Sequence, residues 1–268
     1  MYQIKRIAPL LLLIFISGCT TTSTTFTTPY STAEAKSGDG DYDRKKAAHT
    51  RLGLGMTYLN QGDYEKSKYN LDKALEHYPE SEDVLRGVAW YYEKVREPEQ
   101  AEKYYQKALK INDKNSALLN QYGVFLCRND RFDESQEMFK ASISILTNKD
   151  VSGTYENAAT CNIKAGNEEL AEDLYRKALN HNPKQADSLL GMANIEFEKG
   201  RYKRSRSYLD RYELVSQHSP RSFWLAIRTE SRLGNMDATA SYALKLEQTY
   251  PDSQEIENYL DTKDQWLK

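Results

Sequence analysis

Residues 52–79 read LGLGMTYLNQGDYEKSKYNLDKALEHYP, and the same residue types return 34 positions later along the chain. Tyr58 is followed in this way by Tyr92, and Ala74 by Ala108. Further copies follow, with two extra residues before the fourth, and the sixth copy is the loosest. A period of this length predicts a solenoid, in which every unit is one supersecondary structure stacked on its neighbours.

Within each unit the pattern indicates two helices of about twelve residues joined by a tight turn. Glycine marks the turn in most units, because a positive φ or a side-chain cap is needed there. The turn glycines are Gly62, Gly166, Gly200 and Gly234. Small residues such as Gly55 and Gly123 are expected where two helix axes approach to about 8–10 Å.

These features resemble the tetratricopeptide repeat over residues 48–251, about three quarters of the 268-residue chain. The resemblance implies an all-α fold, a right-handed superhelical solenoid of about six helix–turn–helix repeats. The segment 253–268, SQEIENYLDTKDQWLK, has apolar residues near helical spacing and predicts a capping helix over the open end. We therefore expect one tetratricopeptide repeat domain at 44–268, with the exact register of the sixth repeat left open.

The amino-terminal residues predict an export signal. Lys5 and Arg6 precede an apolar run at 7–16. At about 1.5 Å per residue this run reaches half of the ~30 Å hydrocarbon core, too short to cross it. A short positive segment followed by such a run is typical of a signal peptide, which we place at 1–18.

The apolar run ends in ISGC at 16–19, which resembles the cleavage box of bacterial lipoproteins. The resemblance implies that Cys19 is acylated, with palmitate among the chains, and becomes the first residue of the mature chain. Thr20 in place of Asp implies sorting to the outer membrane, with the protein facing the periplasm. The Thr-rich segment 19–43 predicts a flexible tether. The alternative is a secreted protein with an incidental cysteine.

Composition and motifs argue against several classes of function. The 37 Lys and Arg residues are balanced by 39 Asp and Glu residues, which excludes the accumulated positive charge of a nucleic-acid binder. No nucleophile elbow, phosphate-binding loop or metal-binding motif occurs, and the four histidines are scattered singly. We expect no catalysis, no cofactor, no metal site and no small-molecule substrate, and a protein as the partner.

Cys127 and Cys161 are 34 residues apart, late in the first helices of adjacent units. Stacked units place equivalent positions side by side, so the two sulfurs could approach each other. An exported protein meets an oxidising compartment, which favours a structural disulfide. The alternative is two separate small buried apolar residues.

The first units carry a candidate groove for a partner. Their first helices present residues on the side that does not pack on the second helix of the same unit. In the first unit, Leu54 and Tyr58 form the packing side, so the apolar residues on the other side are a surplus. The predicted groove residues are Leu52, Met56, Leu59, Arg86, Trp90, Lys94 and Val124. In later units the corresponding residues are Leu190, Asn194, Phe197 and Trp224.

Apolar residues with a neighbouring Trp and Arg have the composition of a protein-binding hot spot. The alternative is that the tether, through Phe26 or Tyr30, covers these residues.

The lipoprotein box, the Thr-rich tether and six repeats with a capping helix together resemble the type IV pilus biogenesis lipoproteins, the PilF/PilW pilotins. The phrases at 52–75 and 122–139 (YGVFLCRNDRFDESQEMF) carry the rest of the resemblance. It implies a non-catalytic pilotin that binds secretin subunits in the periplasm and promotes their outer-membrane localisation and multimerisation. It also implies that the first units form the functional groove. The alternative function is an adaptor for periplasmic peptidoglycan hydrolases or proteases.

Overall fold

A computed structural model describes residues 39–266 of the chain, with side chains described for 40–263. The described residues contain thirteen α-helices and no strand. These helices are α1 (Asp39–Asn60), α2 (Tyr64–His77), α3 (Glu82–Lys94), α4 (Pro98–Ile111), α5 (Ser116–Arg128), α6 (Phe132–Ser144), α7 (Val151–Lys164), α8 (Glu168–His181), α9 (Ala186–Glu198), α10 (Tyr202–Glu213), α11 (Pro220–Arg232), α12 (Met236–Thr249) and α13 (Gln254–Trp266).

The helices form six consecutive pairs, α1–α2 to α11–α12, which we call units 1 to 6. Each helix packs most extensively on the other helix of its unit, and the second helix of a unit packs on the first helix of the next. The first helices of neighbouring units also contact each other, for example α1 with α3 and α5 with α7. This arrangement confirms the predicted all-α solenoid. The last helix, α13, packs on α11 and α12 at the end of the stack.

The turn between the two helices of a unit places one residue in the left-handed region. In four units that residue is the predicted glycine, with φ between 70° and 81°. Units 2 and 3 use Arg96 and Asp130 instead, with φ of 62° and 61°. In unit 1, Asp63 then caps α2, because its carboxylate accepts a hydrogen bond from the Lys66 backbone N–H at 3.1 Å.

Small residues bring the helices of a unit close together, as the sequence predicts. A Cβ on Gly55 would lie 2.8 Å from Cγ of Leu71. A Cβ on Gly123 would lie 2.8 Å from the ring of Phe139, which is fully buried. The large side chains of the second helices therefore fill the space that a missing Cβ leaves on the first helices.

Two expectations for the amino-terminal part need correction. Helix α1 begins at Asp39, so the end of the predicted tether 19–43 is helical. Leu54, predicted to pack against α2, is 41% exposed. The signal peptide, Cys19 and most of the predicted tether lie outside the described residues.

Candidate protein-binding groove

A small cavity lies between the first helices of units 1, 2 and 3. Its volume is about 260 Å³, and we call it the apolar cavity. It is lined by Leu52, Met56, Asp83, Arg86, Gly87, Trp90 and Gln121. Four of these seven residues, Leu52, Met56, Arg86 and Trp90, belong to the predicted groove, so the structure brings the main part of that prediction together.

Gly87 allows α1 to lie close to α3 beneath the apolar cavity. A Cβ at this position would overlap Cδ1 of Leu52 and would lie 3.6 Å from Sδ of Met56. Because Gly87 has no side chain, Leu52 occupies the space of the missing Cβ, with Met56 beside it. Both are half-buried and pack against the core of units 1 and 2.

Trp90 is flanked by two positive charges. The Lys94 ammonium, one helical turn further along α3, lies 4.6 Å from the centroid of the Trp90 ring. The Arg128 guanidinium reaches the same ring from α5, at 5.6 Å. Cations at these distances are attracted by the ring and hold the indole in place.

A buried carboxylate anchors Arg128 beside Trp90. The Glu93 side chain is only 8% exposed, and its Oε2 accepts a hydrogen bond from Nη1 of Arg128 at 3.0 Å. Its Oε1 accepts a hydrogen bond from the Tyr105 hydroxyl at 2.5 Å. Burial raises the pKa of Glu93, although both hydrogen bonds favour its charged form. The three residues connect α3, α4 and α5, which fixes the wall of the groove at Trp90.

Arg86 is held on the other side of Trp90. It forms ion pairs with Asp83 at 2.7 Å and with Glu82 at 3.3 Å. It also donates a hydrogen bond to Oε1 of Gln121 on α5 at 3.2 Å. Arg86 therefore joins α3 to α5, and it also lines the apolar cavity.

Three predicted groove residues are placed differently. Leu59 is only 4% exposed and packs with Val84 and Val88, so its prediction as a contact residue is wrong. Phe197 is 6% exposed and belongs to the core of units 5 and 6. Val124 is half-buried against the core of units 3 to 5 and does not line the apolar cavity.

Cys127 and Cys161 are joined by a disulfide between α5 and α7, with their Cα atoms 5.8 Å apart. Cys161 is 1% exposed, and its sulfur lies 3.4 Å from Oγ of Ser135. The bond ties unit 3 to unit 4 and closes a loop of 34 residues. It lies within the core on which Val124 packs.

A second cavity of about 490 Å³, lined by more charged residues, lies between the first helices of units 4, 5 and 6. Leu190 and Asn194 line it, as predicted for the later units, while Trp224 packs half-buried on the core of unit 6. Sequence reasoning missed Asn157 and Arg221, which also line this cavity. The repeat position that holds Met56 in unit 1 and Trp90 in unit 2 holds the polar residues Thr160 in unit 4 and Asn194 in unit 5.

Glu156 lines the same cavity. Its carboxylate accepts hydrogen bonds from Oγ of Ser188 at 2.8 Å and from Nε2 of Gln185 at 3.2 Å. Burial raises the pKa of Glu156. Both donors belong to α9 or its start, so the contacts fasten unit 4 to unit 5.

Within residues 39–266, no group of three or more His, Cys, Asp and Glu side chains is placed to hold a metal ion. The helices of this part of the chain are also too short or too polar to cross a membrane. What the groove presents is a mixed apolar and charged surface suited to contact with another polypeptide.

The chain is similar in sequence to tetratricopeptide repeats and to a type IV pilus assembly protein. Tetratricopeptide repeats match residues 46–114, 104–137 and 162–223. The type IV pilus assembly protein PilF of Pseudomonas aeruginosa is 31% identical over 250 residues, which cover 93% of this chain and 95% of that protein. An uncharacterised protein of Haemophilus influenzae is 28% identical over 54% of this chain and 81% of its own.

The fold is also similar to the solved structures of PilF and PilW. A structure of Pseudomonas aeruginosa PilF superposes with a TM-score of 0.72 and 29% identity, covering 82% of this chain and 99% of the other. The crystal structure of PilW, described as a widely conserved type IV pilus biogenesis factor, has a TM-score of 0.71. It is 24% identical and covers 80% of this chain and 98% of PilW, so this likeness shows the fold.

Proposed function

This chain belongs to the PilF family of tetratricopeptide-repeat proteins of type IV pilus biogenesis, and from that membership we propose that it is a pilotin. In this proposal it binds secretin subunits of the pilus system and promotes their localisation to the outer membrane and their multimerisation. It does so as a scaffold, without catalysing a reaction.

The apolar cavity carries the proposal. Leu52, Met56 and Trp90 surround an indentation that the packing of the repeats leaves open. Single exposed apolar residues are normal on a protein surface, but an indentation lined by Trp and Arg has the composition of a hot spot. A partner that buries an apolar side chain there removes this surface from water, at roughly 25 cal/mol per Å².

The lipoprotein box at 16–19 supplies the second part of the proposal. Acylation of Cys19 would anchor the chain to the outer membrane on its periplasmic side. Two or more acyl chains make such anchoring effectively permanent, whereas one chain gives only marginal binding. A secretin subunit bound in the groove would then be carried to the same membrane.

Anchoring also accounts for multimerisation without catalysis. Subunits held at one membrane surface encounter each other at a higher effective concentration than free subunits do. The rate of assembly rises in consequence, although the chain contributes no reactive group.

The combined substitution Met56→Glu and Trp90→Ala tests the proposal. It places a charge in the apolar cavity and removes its aromatic wall, so we expect secretin multimers to disappear from the outer membrane. Circular dichroism should show unchanged helix content. Leu214→Glu, at a position that is 84% exposed, is the matched control and should leave the multimers intact.

Persistence of the multimers in the Met56→Glu, Trp90→Ala protein would contradict the groove assignment. Capture of a peptidoglycan hydrolase or a protease in place of the secretin would instead support an adaptor function. The anchor is tested separately by Cys19→Ser. In this variant we expect neither the protein nor the secretin to be recovered in the outer-membrane fraction.

A further inference from the structure

A second indentation adjoins the apolar cavity on the side of Lys94. Its volume is about 310 Å³, and we call it the basic cavity. It is lined by Glu93, Arg96, Pro98, Phe125, Arg128 and Asn129. Arg128 connects the two cavities, because its guanidinium lies both in this lining and over the Trp90 ring.

The charge of this region is unbalanced. Arg96 and Arg128 line the basic cavity together with one carboxylate, Glu93. Lys94 lines neither cavity but brings a further positive charge over the Trp90 ring. The Glu93 carboxylate already binds Arg128 and Tyr105. Among the described side chains, no carboxylate lies within 4.0 Å of the Lys94 ammonium or the Arg96 guanidinium. Glu97 follows Arg96 in the chain but lines neither cavity.

Arg96 has a backbone conformation that is uncommon for a large residue. Arg96 lies in the turn between α3 and α4 with φ of 62°, where its backbone N–H donates to the carbonyl of Glu93 at 3.2 Å. Glycine occupies the corresponding turn in four of the other units. A bulky residue with positive φ is uncommon, and here its exposed guanidinium stands beside the groove.

We propose that the basic cavity receives a carboxylate side chain from the same protein segment that fills the apolar cavity. The partner segment would therefore carry an acidic residue next to an apolar anchor. This inference rests on the proposed function, since it names the chemistry of the segment that the groove binds. Charge complementarity of this kind sets the specificity and the rate of association.

A protein segment fits the two cavities better than an anionic phospholipid does. The apolar cavity, at about 260 Å³, is smaller than the roughly 300–1,000 Å³ of ligand pockets and matches side chains rather than an acyl chain.

The test uses the full chain in detergent and two series of twelve-residue peptides. Each peptide of the first series has Trp or Leu flanked by Glu, and the second series has Gln in place of Glu. We expect the Glu series to bind at least fivefold more tightly at low ionic strength. The preference should shrink as salt is added, because salt screens exposed charges.

Arg96→Glu should abolish the preference for the Glu series and should restore binding to peptides that carry Lys at the same positions. Arg96 is preferable to Arg128 for this purpose, because removing Arg128 would also leave Glu93 without its cation. Lys203→Glu, on α10, is the matched control, since Lys203 is exposed and has no carboxylate within 4.0 Å among the described side chains. It should change each dissociation constant by less than twofold.

Equal binding of the two series, or an Arg96→Glu protein that keeps the preference, would overturn the inference. Loss of binding to phosphatidylglycerol vesicles in Arg96→Glu, with peptide binding unchanged, would overturn it in favour of a lipid. If the Glu series is preferred but the purified pilus secretin does not bind, the proposed function fails and the inference stands.

Discussion

The Tyr105 hydroxyl lies 2.5 Å from Oε1 of Glu93, and this contact joins the fully buried core of unit 2 to the edge of the groove. Burial and the neighbouring carboxylate raise the pKa of Tyr105, so the phenol is protonated at neutral pH and donates to Glu93. Glu93 in turn positions Arg128, which borders both cavities. A residue that no partner can touch therefore helps to shape the surface proposed to bind one.

Tyr105→Phe tests the energetic weight of this contact. The substitution leaves the ring in place but removes one of the two hydrogen bonds to a carboxylate that is 8% exposed. We expect the free energy of unfolding to fall by about 1–3 kcal/mol, the usual cost of leaving a buried polar group unsatisfied. Urea denaturation measures it, and Tyr69→Phe, at a position that is 56% exposed, should change stability by less than about 0.5 kcal/mol. Equal effects of the two substitutions would contradict the assigned role.

Glu93 should also give the protein a defined pH dependence. Its pKa in the folded protein is raised by burial above the ordinary value of 4.5. The folded state therefore binds the proton more tightly than the unfolded state, and the penalty of the buried charge is present at neutral pH. As the pH falls through the folded-state pKa towards 4.5, this penalty is relieved.

The comparison with Glu93→Gln isolates that effect. The stability of the wild-type protein relative to Glu93→Gln should increase as the pH is lowered from 7 towards 4.5, because Gln cannot take up a proton. Other carboxylates with shifted pKa values, such as Glu134 and Glu156, are present in both proteins and cancel. Denaturation at several pH values measures the difference, and a constant difference over this range would refute the prediction.

The disulfide should stabilise the solenoid without being required for its fold. Closing a loop of 34 residues lowers the entropy of the unfolded chain, which is worth about 3–4 kcal/mol. Replacing both Cys127 and Cys161 by Ala should therefore lower the denaturation midpoint while helix content is retained.

The double variant is also the control for an experiment in which the wild-type protein is treated with a reductant. Both proteins contain Cys19, and only the wild-type protein has the disulfide. A reductant that acts through the disulfide should therefore destabilise the wild-type protein and leave the variant unchanged. A wild-type midpoint that does not respond to the reductant would show that the bond contributes little to stability.

Sequence periodicity predicted the fold and most of the apolar cavity, because both follow from which helix face is apolar. It failed at Leu54 and Leu59 for one physical reason. Helix α1 is the first described helix of the stack and packs mainly on α2 and α3. The stripe Leu52, Met56 and Leu59 therefore turns towards α3 and buries Leu59, while Leu54 faces away from the core.

The basic cavity could not be found from the repeat pattern. Arg96 belongs to a turn and has a positive φ, where four other units have glycine, so the repeat pattern does not predict an arginine there. Arg128 comes from the next unit, so the two guanidinium groups meet only after the units stack. Charges that converge from a turn and from an adjacent repeat have no fixed spacing along the chain.

Gly87 and Gly53 provide a matched pair of substitutions, because both lie inside helices but only Gly87 is enclosed. Gly87→Ala places a methyl group against Cδ1 of Leu52, so Leu52, which lines the apolar cavity, must shift. Overpacking costs about 1–3 kcal/mol, and the helix gains about 0.5–1 kcal/mol when Gly is replaced by Ala. We therefore expect a net loss of up to about 2.5 kcal/mol in the free energy of unfolding, together with weaker binding of the partner. Around Gly53 no atom lies within 4 Å of an added Cβ, so Gly53→Ala should instead stabilise α1 by about 0.5–1 kcal/mol. Thermal or urea denaturation of the two proteins, with binding measured on the same samples, gives effects of opposite sign if the cavity depends on the close contact of α1 with α3. Two stabilising substitutions with unchanged binding would show that this contact does not shape the cavity.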